Sequence, residues 1–312
     1  MQPETEETFA TLELLLDGNL AFNLPGHEDG GQISPFIWDG FNSGEFNVLN
    51  LCRANGWLQL TDVDAIVKDW QEMNYMKHFP DFSLNPEQKN DLIHQFASLF
   101  QVLNTNLENL EAYILNSGYF YVSNPGVVIG KTKDENWICI SPTVYTETNI
   151  PQGQISRSPL TNAVKPQSLS ETTLTLLSTV QAITSEIGTI SLSGDFGGGY
   201  MYNYTYQIVY AIAATKESAI ERALQASGML EVAQFNSFLR DIEYIRIFHF
   251  EYDPNETYQS YQNINQFLNQ TFSQLIMYRL SFWTHENIYI IGQTSGGDWA
   301  GIYIDSEFVY NP

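Results

Sequence analysis

The chain has 312 residues, 43 % of them hydrophobic and 14 % aromatic, so it is long and apolar enough for two compact domains. Its 36 acidic and 13 basic side chains give a formal charge of −23. This charge argues against direct binding to nucleic acid or to an anionic membrane and favours a basic partner, although solubility alone is the simpler explanation of it.

The first half begins with a helical stretch, Thr8 to Leu16, followed by a strand-like segment, Ser34 to Asp39. Leu58 to Ile66 predicts a strand that runs into a short helix, with Asp62 as its N-cap. The signal Asn85-Pro86-Glu87 predicts the start of a long helix. The apolar stripe of this helix, at steps of three and four, consists of Leu92, Phe96, Leu99, Leu103, Leu107 and Leu110.

The second half repeats this order of elements. A helical stretch from Glu171 to Thr184 precedes the strand-like residues Tyr202 to Ala213. Leu230 to Phe238 again predicts a strand that runs into a short helix, and Asp253-Pro254 predicts the start of a second long helix. The stripe of that helix consists of Tyr258, Tyr261, Ile264, Leu268, Phe272 and Leu275.

Each half ends in the same motif with the same spacing. Ile129-Gly130-Lys131-Thr132 is followed after four residues by Trp137, and Ile291-Gly292-Gln293-Thr294 is followed after four residues by Trp299. Apolar residues on both sides of the polar segments 133–136 and 295–298 predict a β-hairpin with a four-residue loop in each half.

The repeat predicts two similar α+β domains, each with helices packed on a mainly antiparallel sheet. We place the first copy at residues 1–150 and the second at residues 171–312. The segment 151–170 is rich in Pro, Gly, Gln, Ser and Asn and has little apolar periodicity, so we interpret it as a linker with a cut point near residue 158.

The amino terminus lacks the basic and apolar regions of a secretory signal, and no apolar run is long enough to span a bilayer. Cys52 and Cys139 are too few for a disulfide framework and have no metal-ligand spacing. These features predict a soluble cytoplasmic protein with two buried cysteines.

No catalytic signature stands out in the chain. The five histidines have no metal-binding spacing, and the run Gly197-Gly198-Gly199 has neither the spacing nor the following helix of a phosphate cradle. We therefore predict a protein that is not an enzyme and has no cofactor and no intrinsic metal. Paired carboxylates for acid–base chemistry stay an open alternative, because such pairs meet only in the fold.

With both halves laid out, the chain resembles the nuclease A inhibitor family, in which a single domain has about this half-length. The match is most specific at Ile290 to Ile302, which resembles the terminal hairpin of that family, and at the preceding Tyr278-Arg279-Leu280. Pro35 to Gly40 and Val63 to Ile66 resemble two further family segments. The resemblance implies two α/β/α sandwiches and a protein that binds and blocks a metal-dependent, sugar-nonspecific DNA/RNA nuclease.

The same resemblance implies that an acidic loop after the first helix carries a carboxylate into the metal site of the nuclease, near the chain end of the inhibitor. The matching loops are residues 25–31 and 194–200, so the candidates are Glu28, Asp29 and Asp195. Carboxylate oxygens suit Mg²⁺, and flanking glycines let the backbone approach a partner. An exposed turn whose acid is only solvated is the simpler alternative.

Five further residues complete the predicted partner-binding set. The hairpin loops contribute Asp134, Glu135 and Asp298, the second acidic loop contributes Tyr200, and the chain end is Pro312. If the chain end and a loop acid act together, the second copy is the better inhibitor, whereas if acidity dominates, the first copy is.

Two other readings of the duplication remain open. In the first, one copy is only a structural partner that has lost the site. In the second, the whole chain is a duplicated adaptor or immunity-type module. Such a module has a different protein target and does not inhibit a nuclease.

Overall fold

The computed structural model describes residues 2–16, 21–22, 29–74, 76–78, 82–116, 125–144, 155–160, 169–195, 201–238, 254–282 and 285–307. A 3₁₀ turn spans Met76–His78. The α-helices of the described residues are α1 (Pro3–Leu16), α2 (Gly40–Ser43), α3 (Val48–Ala54), α4 (Val63–Glu72), α5 (Pro86–Asn106), α6 (Glu171–Ile187), α7 (Lys216–Ala226) and α8 (Pro254–Thr271).

The strands of the first half of the chain are β1 (Ala21–Phe22), β2 (Asp29–Trp38), β3 (Leu58–Thr61), β4 (Glu108–Leu115), β5 (Gly126–Lys131), β6 (Trp137–Pro142) and β7 (Ile155–Ser158). Those of the second half are β8 (Ile190–Asp195), β9 (Met201–Tyr206), β10 (Ile208–Ala213), β11 (Leu230–Phe238), β12 (Ile276–Phe282), β13 (His285–Gln293) and β14 (Trp299–Glu307). Helices packed on antiparallel sheets confirm the predicted α+β class.

Two helices, α5 and α4, begin at the capping residues that the sequence predicts. The Asn85 side chain accepts a hydrogen bond from the backbone N–H of Gln88 at 2.9 Å, and the Gln88 side chain accepts one from the backbone N–H of Asn85 at 3.1 Å. This capping box satisfies two free donors at the start of α5. Asp62 accepts from the backbone N–H of Asp64 at 3.0 Å, which confirms it as the N-cap of α4.

The two apolar stripes bury the long helices. Buried members in the first stripe are Leu92, Phe96, Leu99, Leu103 and Leu107, and those in the second are Tyr261, Ile264, Leu268, Phe272 and Leu275. Each stripe therefore faces a core, as the periodicity of three and four predicts.

The repeated Ile-Gly-x-Thr motif contains a glycine because the end of a long helix packs directly on its strand. A Cβ on Gly292 would lie 2.5 Å from Cγ of Phe272, and a Cβ on Gly130 would lie 2.8 Å from Cβ of Leu107. Phe272 and Leu107 directly follow α8 and α5. The motif thus marks the same close approach of helix end and strand in both halves.

The chain forms two compact units. Unit 1 comprises residues 1–46, 147–162 and 231–312. Its seven-stranded sheet has the order β1-β2-β14-β13-β12-β11-β7, and every pair with a defined register is antiparallel. α1 and α8 pack on one face of this sheet and enclose the core of the unit.

Unit 2 comprises residues 47–146 and 163–230. Its main sheet is antiparallel with the order β10-β6-β5-β4-β3, and β8 and β9 form a separate hairpin. Gly126 contacts Ile66 of α4 on one face, whereas Lys216 at the start of α7 lies over the Trp137 ring on the other. Unit 2 therefore has helices on both faces of its sheet.

The prediction for residues 230–238 is wrong in its second part. The whole segment from Leu230 to Phe238 is strand β11, with no helical turn within it. Leu230, Ala233, Phe235 and Phe238 are buried, and β11 lies between β7 and β12 in the sheet, so its neighbours supply backbone partners that a helical turn would lose. In the first half, by contrast, the N-cap Asp62 ends β3 and begins α4.

The predicted linker contains a structural strand. Ile155 to Ser158 form β7, which pairs with β11 at the edge of the unit 1 sheet. Ile155 is 1 % exposed and joins the apolar core, since it is a large apolar side chain beside an available sheet edge.

The units also differ from two contiguous halves. Each unit takes residues from both predicted copies, 1–150 and 171–312, so their boundaries do not coincide with those of the units.

Candidate functional site

In unit 1, the last hairpin turn is tied to the start of the first helix through Asp298. Its carboxylate accepts hydrogen bonds from the backbone N–H of Gln2 at 3.1 Å, the Thr5 hydroxyl at 2.9 Å and the backbone N–H of Gly40 at 2.9 Å. Asp298 is 4 % exposed and Thr5 is fully buried. The carboxylate thus accepts hydrogen bonds from donors near the start of α1 and α2 that have no partner within their own helix.

In unit 2, the other hairpin turn makes the corresponding junction through Asp134. Its carboxylate accepts from the backbone N–H of Ser170 at 3.2 Å and from the Thr173 hydroxyl at 2.6 Å, at the start of α6. The Thr132 hydroxyl of the turn itself also donates to it. Asp134 therefore fixes the turn and the helix start together.

Both junctions favour the ionised carboxylate. Burial raises the pKa of each acid, but the hydrogen bonds that the two carboxylates accept outweigh it and hold both pKa values below the ordinary value of 3.8. We predicted Asp134 and Asp298 as partner-binding residues, and the structure gives their carboxylates partners inside the chain. Glu135, the third predicted hairpin acid, has an 83 % exposed side chain. Its ion pair with Lys131, at 3.1 Å, is open to solvent and therefore contributes little stability.

The strands next to the first acidic loop and to the last residues of the chain pair at one end of the unit 1 sheet. Asp29, the first residue of β2, is the register partner of Glu307, the last residue of β14. The side chain of Asp29 lies outside the described residues, as do Glu28 and Pro312 altogether. The structure therefore brings together the strands that flank the predicted loop acids and the predicted chain end, although they come from different copies.

The second acidic loop is closed by a hairpin in unit 2. Asp195, at the end of β8, is the register partner of Met201 at the start of β9. The Asp195 side chain and Tyr200 lie outside the described residues. The loop is thus bracketed by paired strands, as the hairpin pattern requires.

The alternating tyrosines of β9 point into unit 2 where they are described. Tyr204 is 8 % exposed and Tyr206 is 2 % exposed, and the Tyr204 hydroxyl donates to the backbone carbonyl of Thr143. These two tyrosines therefore form one buried face of a strand.

A buried ionic network in unit 1 has no counterpart among the predicted site residues. Arg279 donates from Nε to the Glu286 carboxylate at 3.0 Å, and the side chains are 6 % and 1 % exposed. Glu231 lies 3.5 Å from Arg279 and also pairs with Arg157 of β7. The sequence signal for this network is Arg279 in the Tyr278-Arg279-Leu280 motif. A basic residue inside an apolar strand needs a buried acidic partner.

His285 pairs with Asp305 across β13 and β14. Within the described residues, no group of three or more histidine, cysteine, aspartate or glutamate side chains could hold a metal ion. Among the helices of the described part, none is both long and apolar enough to cross a membrane.

The comparisons with known proteins bear on the second half of the chain. Residues 201–306 match the model of the family described as nuclease A inhibitor-like protein. No curated protein matches the chain.

The matched segment runs from β9 to β14 and includes the terminal hairpin and the Tyr278-Arg279-Leu280 motif. The resemblance noted in the sequence is therefore confirmed for this segment. A second, tandem copy rests on the repeated motifs and on the similar order of elements in the first half.

Proposed function

We propose that this chain binds and inhibits a metal-dependent, sugar-nonspecific DNA/RNA nuclease and has no enzymatic activity of its own. The observation that carries the proposal is the match of residues 201–306 to an inhibitor-like family. The charge of −23 supports a basic target, because a nuclease of this class needs basic residues to hold the nucleic-acid backbone.

The binding head of the proposed inhibitor is the end of unit 1 that carries the first acidic loop and the chain end. The register of Asp29 opposite Glu307 supports this choice. Glu28 or Asp29 supplies the carboxylate that reaches the metal of the nuclease, and the residues that follow β14, up to Pro312, contact the same region of the nuclease. The sequence left open whether the first copy, with its acidic loop, or the second copy, with the chain end, is the better inhibitor. The proposed head combines the two features.

The proposed mechanism is occupation of the metal and of the nucleic-acid groove. A carboxylate oxygen is a good ligand for Mg²⁺, and an acidic surface competes with the phosphate backbone for basic side chains. Water and substrate then lose access to the metal, which otherwise stabilises the charge that develops during phosphoryl transfer.

A second head is the loop that begins at Asp195 in unit 2. The strand of unit 2 that corresponds to β14 is β6, and the chain continues beyond it. The residues after β6 lead on to β7 of unit 1, so we assign the unit 2 head the weaker inhibition.

Loop variants of the full chain test the assignment of heads. We expect Glu28→Ala with Asp29→Ala to reduce inhibition of a Mg²⁺-dependent sugar-nonspecific nuclease at least tenfold, and Asp195→Ala to have a smaller effect. Glu87→Ala is the control, because Glu87 is an exposed acid in the first turn of α5 and belongs to neither loop.

Inhibition that is unchanged in both loop variants would contradict the carboxylate mechanism. Absence of inhibition by the wild-type chain would favour the adaptor or immunity-type function, with a different protein target. That target would be sought among basic proteins.

A further inference from the structure

The sheets of the two units are completed by strands from opposite halves of the chain. In unit 1, β14 of the second half pairs with β2 of the first, with Trp299 opposite Trp38. In unit 2, β6 of the first half pairs with β10 of the second, with Trp137 opposite Ala213. In each pairing, the tryptophan of the repeated motif lies opposite the last residue of its partner strand.

The helix junctions follow the same reciprocal pattern. The turn between β13 and β14 holds the start of α1 through Asp298 and Thr5. The turn between β5 and β6 holds the start of α6 through Asp134 and Thr173. In each unit, a hairpin from one half therefore binds the first helix of the other half.

The chain passes between the units at four points, and two of them, 46/47 and 230/231, lie well inside the repeats. The first point lies just before α3 and the second lies just after α7, so both of these helices belong to unit 2. α3 and α7 contact each other there. Each repeat therefore gives its first helix and the following strand to the other repeat. The next helices, α3 and α7, both lie in unit 2.

We infer that the two repeats have exchanged their amino-terminal segments within one chain, so that each sheet is completed by the helix and strand of the other repeat. Exchange of similar elements is a low-cost rearrangement, since the contacts of the first helix and its strand are remade with an equivalent partner. The competing arrangement pairs β2 with β6 and β10 with β14. It would satisfy the same motifs inside each half.

The exchange has a consequence for the proposed inhibitor, and this consequence rests on the proposed function. The unit 1 head contains Asp29 from the first repeat and the chain end from the second. Neither half of the chain then carries that head, and both repeats must be joined for full inhibition.

Four cysteine positions in the full chain distinguish the arrangements. Ser34 is the register partner of Tyr303 in unit 1, and Val209 is the register partner of Ser141 in unit 2. The exchange predicts disulfides in Ser34→Cys with Tyr303→Cys and in Val209→Cys with Ser141→Cys. Contiguous halves predict them instead in Ser34→Cys with Ser141→Cys and in Val209→Cys with Tyr303→Cys.

A protease site placed at 162/163 in each variant gives the readout. After oxidation and cleavage, the exchanged pairs hold the two fragments together on a denaturing, non-reducing gel, whereas the matched contiguous pairs leave the fragments separate. Wild type is the background control, because Cys52 and Cys139 are buried and burial raises the pKa of both thiols.

Cleaved wild-type chain provides a second measurement that needs no substitution. The exchange predicts that the two fragments elute together at the mass of the intact chain. Separation into two folded halves, or disulfides only in the contiguous pairs, would overturn the exchange. Neither readout involves a nuclease, so a failure of the exchange is distinct from a failure of the proposed function.

Discussion

The Thr5 hydroxyl donates a hydrogen bond of 2.9 Å to the Asp298 carboxylate and so joins the first helix of the chain to its last hairpin. Both residues are buried. Because the carboxylate also holds two backbone N–H groups, it replaces water for three donors at once. The junction therefore adds a polar attachment to the apolar packing of α1 on the unit 1 sheet.

Removing the Asp298 charge should destabilise the chain. Asp298→Asn keeps the shape of the side chain but weakens charge-assisted hydrogen bonds, and we expect a loss of about 2–3 kcal/mol in the free energy of unfolding. Urea denaturation at pH 7 measures it. Glu7→Gln, at an exposed position of α1, is the control and should change stability by less than about 0.5 kcal/mol.

The pH dependence of the same variant checks the cause. Because the folded-state pKa of Asp298 lies below 3.8, its contribution is fully present above that value and is lost as the pH falls through the folded-state pKa. The stability difference between wild type and Asp298→Asn should therefore shrink below about pH 4. A difference that stays constant from pH 7 to pH 2 would contradict a charge-dependent junction.

The buried pair of Arg279 and Glu286 predicts a strong asymmetry between single and double variants. Arg279→Met leaves Glu286 buried without its main cation, so we expect a loss of about 3–5 kcal/mol. Arg279→Met combined with Glu286→Leu removes both charges and should recover most of that loss. Chemical denaturation of the three proteins measures both steps, and equal losses in the single and double variants would argue against a paired interaction.

Gly292 should tolerate no side chain. In Gly292→Ala the new Cβ meets the Phe272 ring at 2.5 Å, which forces the end of α8 away from β13, and we expect a loss of about 1–3 kcal/mol from overpacking. The neighbouring Gln293→Ala is the control, because Gln293 is exposed. Thermal unfolding followed by circular dichroism compares the two variants, and equal melting temperatures would contradict the close approach.

The strand inside the predicted linker has a measurable role. Ile155→Ala removes a buried apolar side chain from the unit 1 core, and we expect a loss of about 2–5 kcal/mol in stability. Ser158→Ala at the other end of β7 should be nearly neutral. If both variants unfold at the same urea concentration, residues 155–158 act only as a connection.

Elements set by local chemistry could be predicted from the sequence. Asn85-Pro86 marks the start of α5, the stripes mark the buried faces of α5 and α8, and the polar segment 295–298 marks a hairpin. Each of these signals lies within a few residues of the structure that it predicts.

Long-range pairings could not be predicted in the same way. We predicted Asp298 as a partner-binding residue, because its hydrogen-bond partner Thr5 lies 293 positions away and leaves no local signal. The choice between β6 and β14 as partner of β2 is hidden because both carry the same motif. Of the candidate site, the loop acids Glu28 and Asp29 stay a prediction, and the pairing of β2 with β14 beside them could not be read from the sequence.

Titration of the full chain into a Mg²⁺-dependent, sugar-nonspecific nuclease, with DNA cleavage as the readout, tests the proposed inhibition. We expect cleavage to stop near one inhibitor per nuclease, and saturating Mg²⁺ excludes simple removal of the metal from solution. An unchanged cleavage rate at a large molar excess of the chain would contradict it.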